Sequence, residues 1–384
     1  MSKRRILLSS PHMGGTETKY VQEAFSTNWI APLGENVDIF EEQIKEYTGA
    51  NAACALSSGT GGIHIALDLL KVEQDDIVLC SSLTFVASAN PILYHGGKPV
   101  FIDSELDSWN MCPKSLEKAL KYYKMLGKKP KAVIVVNLYG QSARMDEIGE
   151  ICSRYGVPII EDAAESLGAV YKGRMSGTFG RFGIFSFNGN KIITTSGGGM
   201  IISNDEMLIE RALKKATQCK ENATYYQHES VGYNYRLSNV CAGIGRGQME
   251  VLEERIQQKR NIFDKYVEGL GDVDGIEFMP EIEGSYHTRW LSTMLIDPKK
   301  LGVRTSELIE HLEESNIEAR RVWKPLHMQP LFDGSEYFHG EADNAKYLFD
   351  HGVCLPSDTK MTEAEINEVI SLCRERILAQ ELFA

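Results

Sequence analysis

Short apolar stretches alternate with helix-like stretches in the first half of the chain, and this alternation restricts the fold more than any other feature. The strand-like stretches are DIVLCSS (76–82), KPVFID (98–103), AVIVVNLYG (132–140) and VPIIED (157–162). Residues 85–96 between the first two are helix-like, and apolar residues repeat at helical spacing from Met145 to Tyr155. Strand, helix and strand at these lengths form βαβ units, so the sequence predicts an α/β fold with a large, mostly parallel sheet.

The character of the sequence changes near residue 250. From Ser238 a charge-laced helical pattern runs without interruption to Gly269, and a capping box from Thr362 to Glu365 predicts a closing helix. The stretches between them are TRWLSTMLID (288–297), TSELIEHLEESN (305–316) and IEARRVW (317–323), which suggest strand, helix and strand. We therefore predict a large α/β domain over residues 1–250 and a smaller α+β domain over residues 251–384.

Composition argues against several classes of protein. The 384 residues carry 41 basic and 53 acidic side chains, a net charge of −12, whereas nucleic-acid binders concentrate positive charge. No stretch has the apolar length of a membrane span, and the eight cysteines show neither Cys-x-x-Cys pairs nor histidine spacing for zinc. We expect a cytoplasmic protein of enzyme size that binds no nucleic acid, no membrane and no metal.

LSSGTGGIHIALDLL (56–70) places small residues immediately before a predicted helix. Backbone N–H groups at Gly59 and Thr60 would form an anion site there, although a plain helix N-cap explains the same residues. The stretch is not a dinucleotide fingerprint, because His64 occupies the third glycine position of that motif. Both the anion site and the plain cap stay open from this stretch alone.

Two charged residues lie at predicted strand ends, the edge where ligands bind in such sheets. Asp162 closes a buried strand and needs a cation, which a scaffold arginine or the protonated ring nitrogen of a cofactor would supply. Lys191 is either a solvated charge or an amine walled in by Phe185 and Phe187, which would favour its neutral, nucleophilic form. An anion cradle, a counter-ion for a ring nitrogen and a reactive lysine are together the contacts that pyridoxal phosphate needs.

Four segments resemble motifs of the DegT/DnrJ/EryC1/StrS family of sugar-nucleotide aminotransferases: SSGTGGIHIAL, SLTFVASANPI, IEDAAESLGAVYKG and FSFNGNKIITTSGGGM. The resemblance runs essentially end to end and implies fold type I of the pyridoxal phosphate enzymes, the aspartate-aminotransferase-like fold. A second set of segments resembles the branch that acts on UDP-4-keto-6-deoxy-N-acetylhexosamines, as in bacillosamine-type and exopolysaccharide biosynthesis. These segments are PHMGG (11–15), NWIAPLGENV (28–37), GYNYRLSN (232–239), VWKPLHMQPLF (322–332) and CLPSDTKMT (354–362).

The resemblance implies a role for each residue that matches a family motif. Lys191 matches the Schiff-base lysine, which also moves the proton between cofactor and substrate, and Asp162 matches the aspartate that keeps the ring nitrogen protonated. Glu165 matches a position near the ring hydroxyl that is often Gln in the family. The remaining matches are Gly59, Thr60 and Ser186 at the phosphate, Phe85 on the ring face, and Asn188, Trp323 and His327 at the sugar nucleotide.

Asn234 matches a residue that reaches the phosphate from a neighbouring subunit, so the resemblance also implies a homodimer with shared active sites. Two departures from the family pattern stand beside these matches. Gly61-Gly62 replaces the usual Ala-Ala at the helix start. Arg320-Arg321 replaces the usual Arg-Pro, and we expect Arg321 to add a charge beside the substrate pocket.

The implied function is pyridoxal phosphate-dependent transamination, with glutamate as amino donor and the 4-ketone of a UDP-4-keto-6-deoxy-N-acetylhexosamine as acceptor. Lys191 argues against the dehydratases of the family, which have histidine at that position. The missing glycine fingerprint argues against a nicotinamide-dependent sugar dehydrogenase. An aminotransferase for another keto nucleotide sugar and a non-catalytic cofactor-binding sensor both stay open, and turnover with glutamate would separate the sensor from the enzymes.

Overall fold

A computed structural model of the chain describes residues 4–378, so residues 1–3 and 379–384 of the two predicted domains lie outside the described residues. The strands are β1 (Ala52–Leu56), β2 (Ile77–Ser81), β3 (Lys98–Ile102), β4 (Ala132–Val136), β5 (Ile159–Asp162), β6 (Val170–Tyr171), β7 (Arg174–Met175), β8 (Phe182–Ser186), β9 (Gly199–Ser203), β10 (Ile276–Phe278), β11 (Ser285–Tyr286), β12 (Ser292–Ile296), β13 (Arg320–Arg321), β14 (Tyr337–Phe338) and β15 (Gly352–Leu355). The α-helices are α1 (Glu17–Ser26), α2 (Glu35–Thr48), α3 (Gly59–Leu69), α4 (Asn90–Tyr94), α5 (Pro113–Met125), α6 (Met145–Tyr155), α7 (Glu206–Ala216), α8 (Asn239–Met249), α9 (Leu252–Leu270), α10 (Pro298–Leu301), α11 (Thr305–Glu314), α12 (Asn344–His351) and α13 (Glu363–Leu378).

Eight strands form a large sheet in the order β1-β9-β8-β5-β4-β2-β3-β14. Every neighbouring pair is parallel except the two that involve β9, which runs against β1 and β8. All five residues of β4 are buried, as expected of a strand covered by helices on both faces. The predicted α/β fold with a mostly parallel sheet is confirmed, and the four strand-like stretches of the sequence supply β2 to β5.

A second, antiparallel sheet has the order β10-β12-β15-β13, and α9, α11 and α13 supply apolar side chains to the core around it. The chain passes between the two sheets more than once. Ile6 pairs with Ile317 beside the second sheet, whereas β14 pairs in parallel with β3 and so belongs to the large sheet. The division of the chain at residue 250 therefore stays a prediction. A third, small sheet has the order β11-β6-β7.

The single long helix predicted from residue 238 onwards is wrong, because Glu250 and Val251 separate α8 from α9. Leu252 and Ile256 of α9 still share a core cluster with Ala242 of α8, but away from this junction the two helices have different packing partners. A side chain at Gly247 of α8 would place its Cβ 2.8 Å from the backbone nitrogen of Glu17, so glycine allows α8 to lie close against α1. Ile262 and Leu270 of α9 pack instead in the core of the second sheet. The helical periodicity of the sequence carried no sign of this change of partner.

The C-terminal ends of β1, β2, β4, β5 and β8 meet at one edge of the large sheet, because these strands run in the same direction. In parallel sheets this edge is where ligands bind. Within residues 4–378, no helix is long and apolar enough to span a bilayer, and no cluster of three acidic, histidine or cysteine side chains is arranged to hold a metal ion.

Candidate active site

A cavity of about 250 Å³ opens at this edge of the large sheet. Most of the residues that the sequence assigns to the site line it, although they come from many separate segments of the chain. They are Gly59, Thr60, Phe85, Asp162, Glu165, Ser186, Asn188, Lys191 and Trp323. His327 and Asn234 do not line the cavity.

The start of α3 forms one wall of the cavity and has the features of an anion cradle. The Ser58 hydroxyl accepts a hydrogen bond from the N–H of Gly61 at 3.0 Å, whereas the N–H groups of Gly59 and Thr60 meet no acceptor among the described residues. A Cβ at Gly59 would lie 3.2 Å from Cβ of Ser186, so a larger residue would crowd the cradle. Two free N–H groups and the serine residues beside them suit a phosphate or another anion.

Asp162 lies at the end of β5 with only 6% of its surface exposed. Its carboxylate accepts hydrogen bonds from the Ser88 hydroxyl at 2.7 Å and from the N–H of Ala164 at 3.2 Å. Burial raises the pKa of this carboxyl group, while the two hydrogen bonds and the charge of Lys191 lower it in part. No arginine within residues 4–378 forms an ion pair with Asp162, so the alternative of a scaffold arginine has no support. The carboxylate is free to meet a cation that enters the cavity.

The amine of Lys191 lies inside the cavity, and its side chain is 13% exposed. Nζ is 3.7 Å from Oε1 of Glu165 and 4.2 Å from the ring centroid of Trp290. We expected Phe185 and Phe187 to wall in this amine, and that expectation is wrong. Both rings are buried in a core cluster away from the cavity, because alternate residues along β8 face opposite sides of the sheet. The aromatic contact comes from Trp290 instead.

Glu165 is fixed from two sides by residues outside its own segment. Oε2 accepts a hydrogen bond from the N–H of Tyr139 at 2.9 Å, and Oε1 accepts one from Nε1 of Trp323 at 3.2 Å. Tyr139 has a left-handed backbone with φ of 54°, and its hydroxyl accepts a hydrogen bond from the N–H of Trp323 at 2.9 Å. Burial raises the pKa of Glu165, and the charge of Lys191 lowers it in part. The carboxylate is thereby held beside the amine.

Two aromatic rings and an amide border the mouth of the cavity. Phe85 is 52% exposed, and its ring centroid lies 5.4 Å from that of Trp323 at an interplanar angle of 51°. Asn188 is exposed at the rim. These side chains leave open faces that a planar or sugar-like ligand could contact.

His327 lies outside the cavity because both of its ring nitrogens are engaged elsewhere. Nδ1 is 2.7 Å from the hydroxyl of Ser82, Nε2 is 3.4 Å from Oδ2 of Asp343, and the ring stacks on Tyr337 with centroids 3.7 Å apart. Burial lowers the pKa of the imidazole. Its contact with a sugar nucleotide stays a prediction that the geometry of the chain does not favour.

Arg321 does not place a charge beside the pocket, so that expectation is also wrong. Its guanidinium donates hydrogen bonds to the carbonyl oxygens of Phe349 and Asp350, both at 3.2 Å. These carbonyls belong to the last turn of α12, where a cation is favourable because of the helix dipole. The predicted strand over residues 317–323 is reduced to Arg320–Arg321.

Asn234 is exposed and lies between two residues that are fixed to the body of the chain. The N–H groups of Tyr233 and Tyr235 donate hydrogen bonds to carbonyls at the end of α7, and the two rings stack with centroids 5.0 Å apart. The ring of His64 packs against both tyrosines. The backbone around Asn234 is therefore well fixed, although its side chain does not reach the cavity of its own chain.

The sequence interpretation missed several residues of the site. Ser88 lies in a short helical turn, Val86–Ser88, between β2 and α4, and no local motif distinguished it from its neighbours. Trp290, which precedes β12 in the second sheet, had no local signal, because it lies 100 residues along the chain from Asn190, the neighbour of Lys191. Tyr139 contacts Glu165 through its backbone N–H group, which no residue type could have indicated.

Residues 11–374 match the model of the DegT/DnrJ/EryC1/StrS aminotransferase family. EpsN of Bacillus subtilis (strain 168), which is named as a pyridoxal phosphate-dependent aminotransferase, is 57% identical over 96% of this chain and 95% of its own. GDP-perosamine synthase of Escherichia coli O157:H7 is 34% identical over 96% of each chain. The UDP-4-amino-4,6-dideoxy-N-acetyl-beta-L-altrosamine transaminase of Campylobacter jejuni is 35% identical over 77% of each.

Among solved structures, the aminotransferase TlmJ from Streptoalloteichus hindustanus superposes with a TM-score of 0.89 at 28% identity. The match covers 98% of this chain and 100% of that one. The similarity therefore includes both sheets and the edge that carries the cavity.

Proposed function

Since the chain belongs to the DegT/DnrJ/EryC1/StrS aminotransferase family, we propose that it transfers the amino group of glutamate to the C4 ketone of a UDP-4-keto-6-deoxy-N-acetylhexosamine. Family membership and the named relatives establish the broader activity, a pyridoxal phosphate-dependent sugar aminotransferase. The product would be a UDP-4-amino-4,6-dideoxy sugar for bacterial glycan or exopolysaccharide synthesis, made in the cytoplasm.

The residues of the cavity fit pyridoxal phosphate. The free N–H groups of Gly59 and Thr60 would hold the phosphate, with the hydroxyl of Ser186 beside them. Asp162, which has no arginine partner among the described residues, would hold the proton on the ring nitrogen. Phe85 would cover one ring face. When bound, the cofactor supplies an electron sink that allows an amino group to pass between two carbon skeletons.

Lys191 carries the acid–base part of the proposal. Its Nζ lies in the cavity, close enough to Glu165 for an ion pair and over the face of Trp290. From this place the amine would move a proton between the substrate carbon and the cofactor. Glu165 would hold the amine in position and contact the ring hydroxyl of the cofactor. The observation that carries the proposal is that Lys191 lines one cavity with Asp162, which is buried and pairs with no arginine within residues 4–378.

The nucleotide and the sugar are the finer part of the proposal. The name of the Campylobacter relative indicates a UDP sugar, and that of the E. coli relative indicates a GDP sugar. We favour the uridine nucleotide because segments such as GYNYRLSN and VWKPLHMQPLF resemble the branch that acts on UDP-4-keto-6-deoxy-N-acetylhexosamines. Asn188 and Trp323 at the mouth of the cavity are the proposed sugar contacts, and we keep His327 only as a weaker candidate because it lies outside the cavity.

We further propose a homodimer in which Asn234 completes the phosphate site of the partner. Asn234 is exposed on a fixed backbone and lies outside its own cavity, as this arrangement requires. The start of α3 has two free N–H groups, so a further donor there would be useful to a phosphate that carries close to two negative charges.

The proposal is tested by incubating the protein with glutamate, pyridoxal phosphate and separate 4-keto-6-deoxy sugars attached to UDP, GDP or dTDP. NMR of the products identifies the aminated carbon and its stereochemistry. We expect amination at C4 of the UDP-linked N-acetylhexosamine. Faster turnover of a GDP or dTDP sugar would contradict the proposed substrate but not the aminotransferase activity. Binding of the cofactor without turnover of any sugar would favour the non-catalytic sensor.

A further inference from the structure

Lys259 of α9 has no part in the proposed reaction, and yet it is only 2% exposed. Its Nζ donates hydrogen bonds to the carbonyl oxygen of Ser357 at 2.6 Å and to the hydroxyl of Ser9 at 3.0 Å. A buried lysine is costly unless its ammonium group has partners, so both contacts matter for the fold around it. Three distant parts of the chain therefore meet at this amine.

The hydrogen bonds continue from Ser9 to the segment that carries Lys191. The Ser9 hydroxyl donates to the carbonyl oxygen of Asn190 at 3.1 Å, and Nε1 of Trp290 donates to the same oxygen at 2.8 Å. This carbonyl forms the peptide bond with Lys191, and the ring of Trp290 lies under Nζ of Lys191. The two donors thus fix the peptide immediately before Lys191 and the ring beneath its amine.

The direction of the bonds makes Lys259 a donor to Ser9 in this arrangement. A serine hydroxyl has one proton, and Ser9 gives it to Asn190, so toward the amine its oxygen can only accept. Nζ of Lys259 is the donor. A lysine amine keeps at least two N–H bonds in either protonation state, which is enough for both of its acceptors.

We propose that Lys259 is a positioning residue for Lys191, which it orients through the hydroxyl of Ser9 and the carbonyl of Asn190. This inference rests on the proposed function, because it takes Lys191 as the reacting lysine. A small displacement of a reacting group is enough to slow an enzyme strongly, so the loss of this chain of hydrogen bonds should lower kcat.

Asp358 is the charged group that acts on Lys259, and it pairs with Lys360. Burial and the charges of Arg255, one turn earlier on α9, and Lys360 lower the pKa of His12, and Asp358 raises it in part. Burial lowers the pKa of Lys259 to about 7, and Asp358 raises it in part. A change at Lys259 is therefore a change of hydrogen bonding and of local charge, whereas Ser9→Ala removes only the hydroxyl.

The test uses Ser9→Ala, Lys259→Met, the double variant and Lys265→Met. Lys265 lies on the same helix and pairs with Glu363 at the surface, so its variant is the control for a lost lysine. Two quantities are measured with the full-length protein. One is kcat and KM for glutamate and the keto sugar with saturating cofactor, and the other is the rate at which an acylating reagent labels Lys191 in cofactor-free protein, followed by mass spectrometry from pH 6 to pH 10.

We expect Ser9→Ala and Lys259→Met each to lower kcat by about tenfold with little change in KM for the sugar, and to change the labelling profile of Lys191. The double variant should behave like Lys259→Met alone, because both changes remove one pathway. Lys265→Met should match the wild type. If Lys259→Met does not fold, Ser9→Ala decides by the same two readouts.

Wild-type kcat and wild-type labelling in Ser9→Ala would overturn the inference, and so would a double variant whose loss is the product of the two single losses. A wild type that turns over no keto sugar would instead overturn the proposed function. In that case the labelling of Lys191 still decides whether Lys259 orients it.

Discussion

Asp162 and Asn234 belong to opposite ends of one proposed cofactor site, and their surroundings differ in every respect. Asp162 is buried at a strand end and has two hydrogen-bond donors from its own chain. Asn234 is exposed, and its side chain lies outside the cavity of its own chain. Under the proposed homodimer, one chain fixes the groups that react, whereas Asn234 of a second chain completes the phosphate site.

Lys191→Ala should have the largest effect of any single change, because we propose that this one amine both holds the cofactor and moves the proton. Activity should fall by at least ~10³-fold, since acid–base catalysis alone contributes about 10²–10⁴. The variant should still bind pyridoxal phosphate through the phosphate and ring contacts. Borohydride reduction followed by peptide mapping should fix the cofactor on Lys191 of the wild type and on no residue of the variant.

Two results would contradict the proposed role of Lys191. A wild type that takes up no added pyridoxal phosphate would remove the cofactor site. Attachment of the cofactor to another lysine would show that Lys191 is not the reactive amine. Lys265→Met, at an exposed ion pair of α9, is the control for loss of a lysine and should keep wild-type activity.

Asp162→Asn should have the next largest effect. The side chain keeps its shape, and its amide can still accept from the Ser88 hydroxyl, but the negative charge opposite the ring nitrogen is lost. We expect a loss of about 10²–10³ in kcat, the usual size for one well-placed electrostatic contact, with little change in the thermal unfolding midpoint of the apoprotein. Stopped-flow absorbance of the glutamate half-reaction measures the loss directly. An unchanged rate would make Asp162 a scaffold residue.

Asn234→Ala should separate binding from chemistry at the other end of the site. If Asn234 donates to the phosphate, its loss should weaken cofactor binding by about 10–100-fold, as for one hydrogen bond to a charged group. Because the reacting groups lie elsewhere, kcat at saturating cofactor should stay close to wild type. Equilibrium dialysis of the cofactor and kinetics over a range of its concentration check the two statements. A lower kcat with normal cofactor affinity would contradict the proposal that Asn234 acts in cofactor binding and not in the chemical step.

The burial of Lys259 also predicts that the free energy of unfolding depends on pH. The pKa of Lys259 is lowered to about 7 from 10.5, so between these values the unfolded chain binds more protons than the folded chain and stability rises with pH. From pH 7.5 to pH 9 the wild type should gain about 2 kcal/mol relative to Lys259→Met, since one proton contributes ~1.4 kcal/mol per pH unit. Urea unfolding of both apoproteins measures this difference, and parallel pH profiles would contradict it.

The sequence predicts best those parts of the site that lie at strand ends. Asp162 closes an apolar strand and Lys191 follows an aromatic one, so local pattern and the edge rule for parallel sheets were enough to select them. The wall of the lysine pocket could not be predicted in this way. Trp290 reaches Lys191 from the entrance to the second sheet, and only the packing of the two sheets brings them together.

The sequence also did not reveal which way certain side chains face or where a helix is interrupted. We expected Arg321 beside the pocket, but its guanidinium bonds to the end of α12. We expected the two phenylalanines beside Ser186 against the lysine amine, but alternate side chains along a strand face opposite sides of the sheet. The break between α8 and α9 follows from a change of packing partner, while the helical periodicity continues through it. Tertiary packing decided each of these outcomes.

The proposed sharing of the site between two chains is tested most directly by subunit complementation. Lys191→Ala and Asn234→Ala chains are co-expressed with different affinity tags, and the heterodimers are isolated through both tags. If Asn234 serves the partner, one site of each heterodimer carries both lesions and the other carries neither. Activity at limiting cofactor should then exceed that of either parent homodimer. Verified heterodimers with no more activity than the better parent would place Asn234 in its own subunit and contradict the shared site.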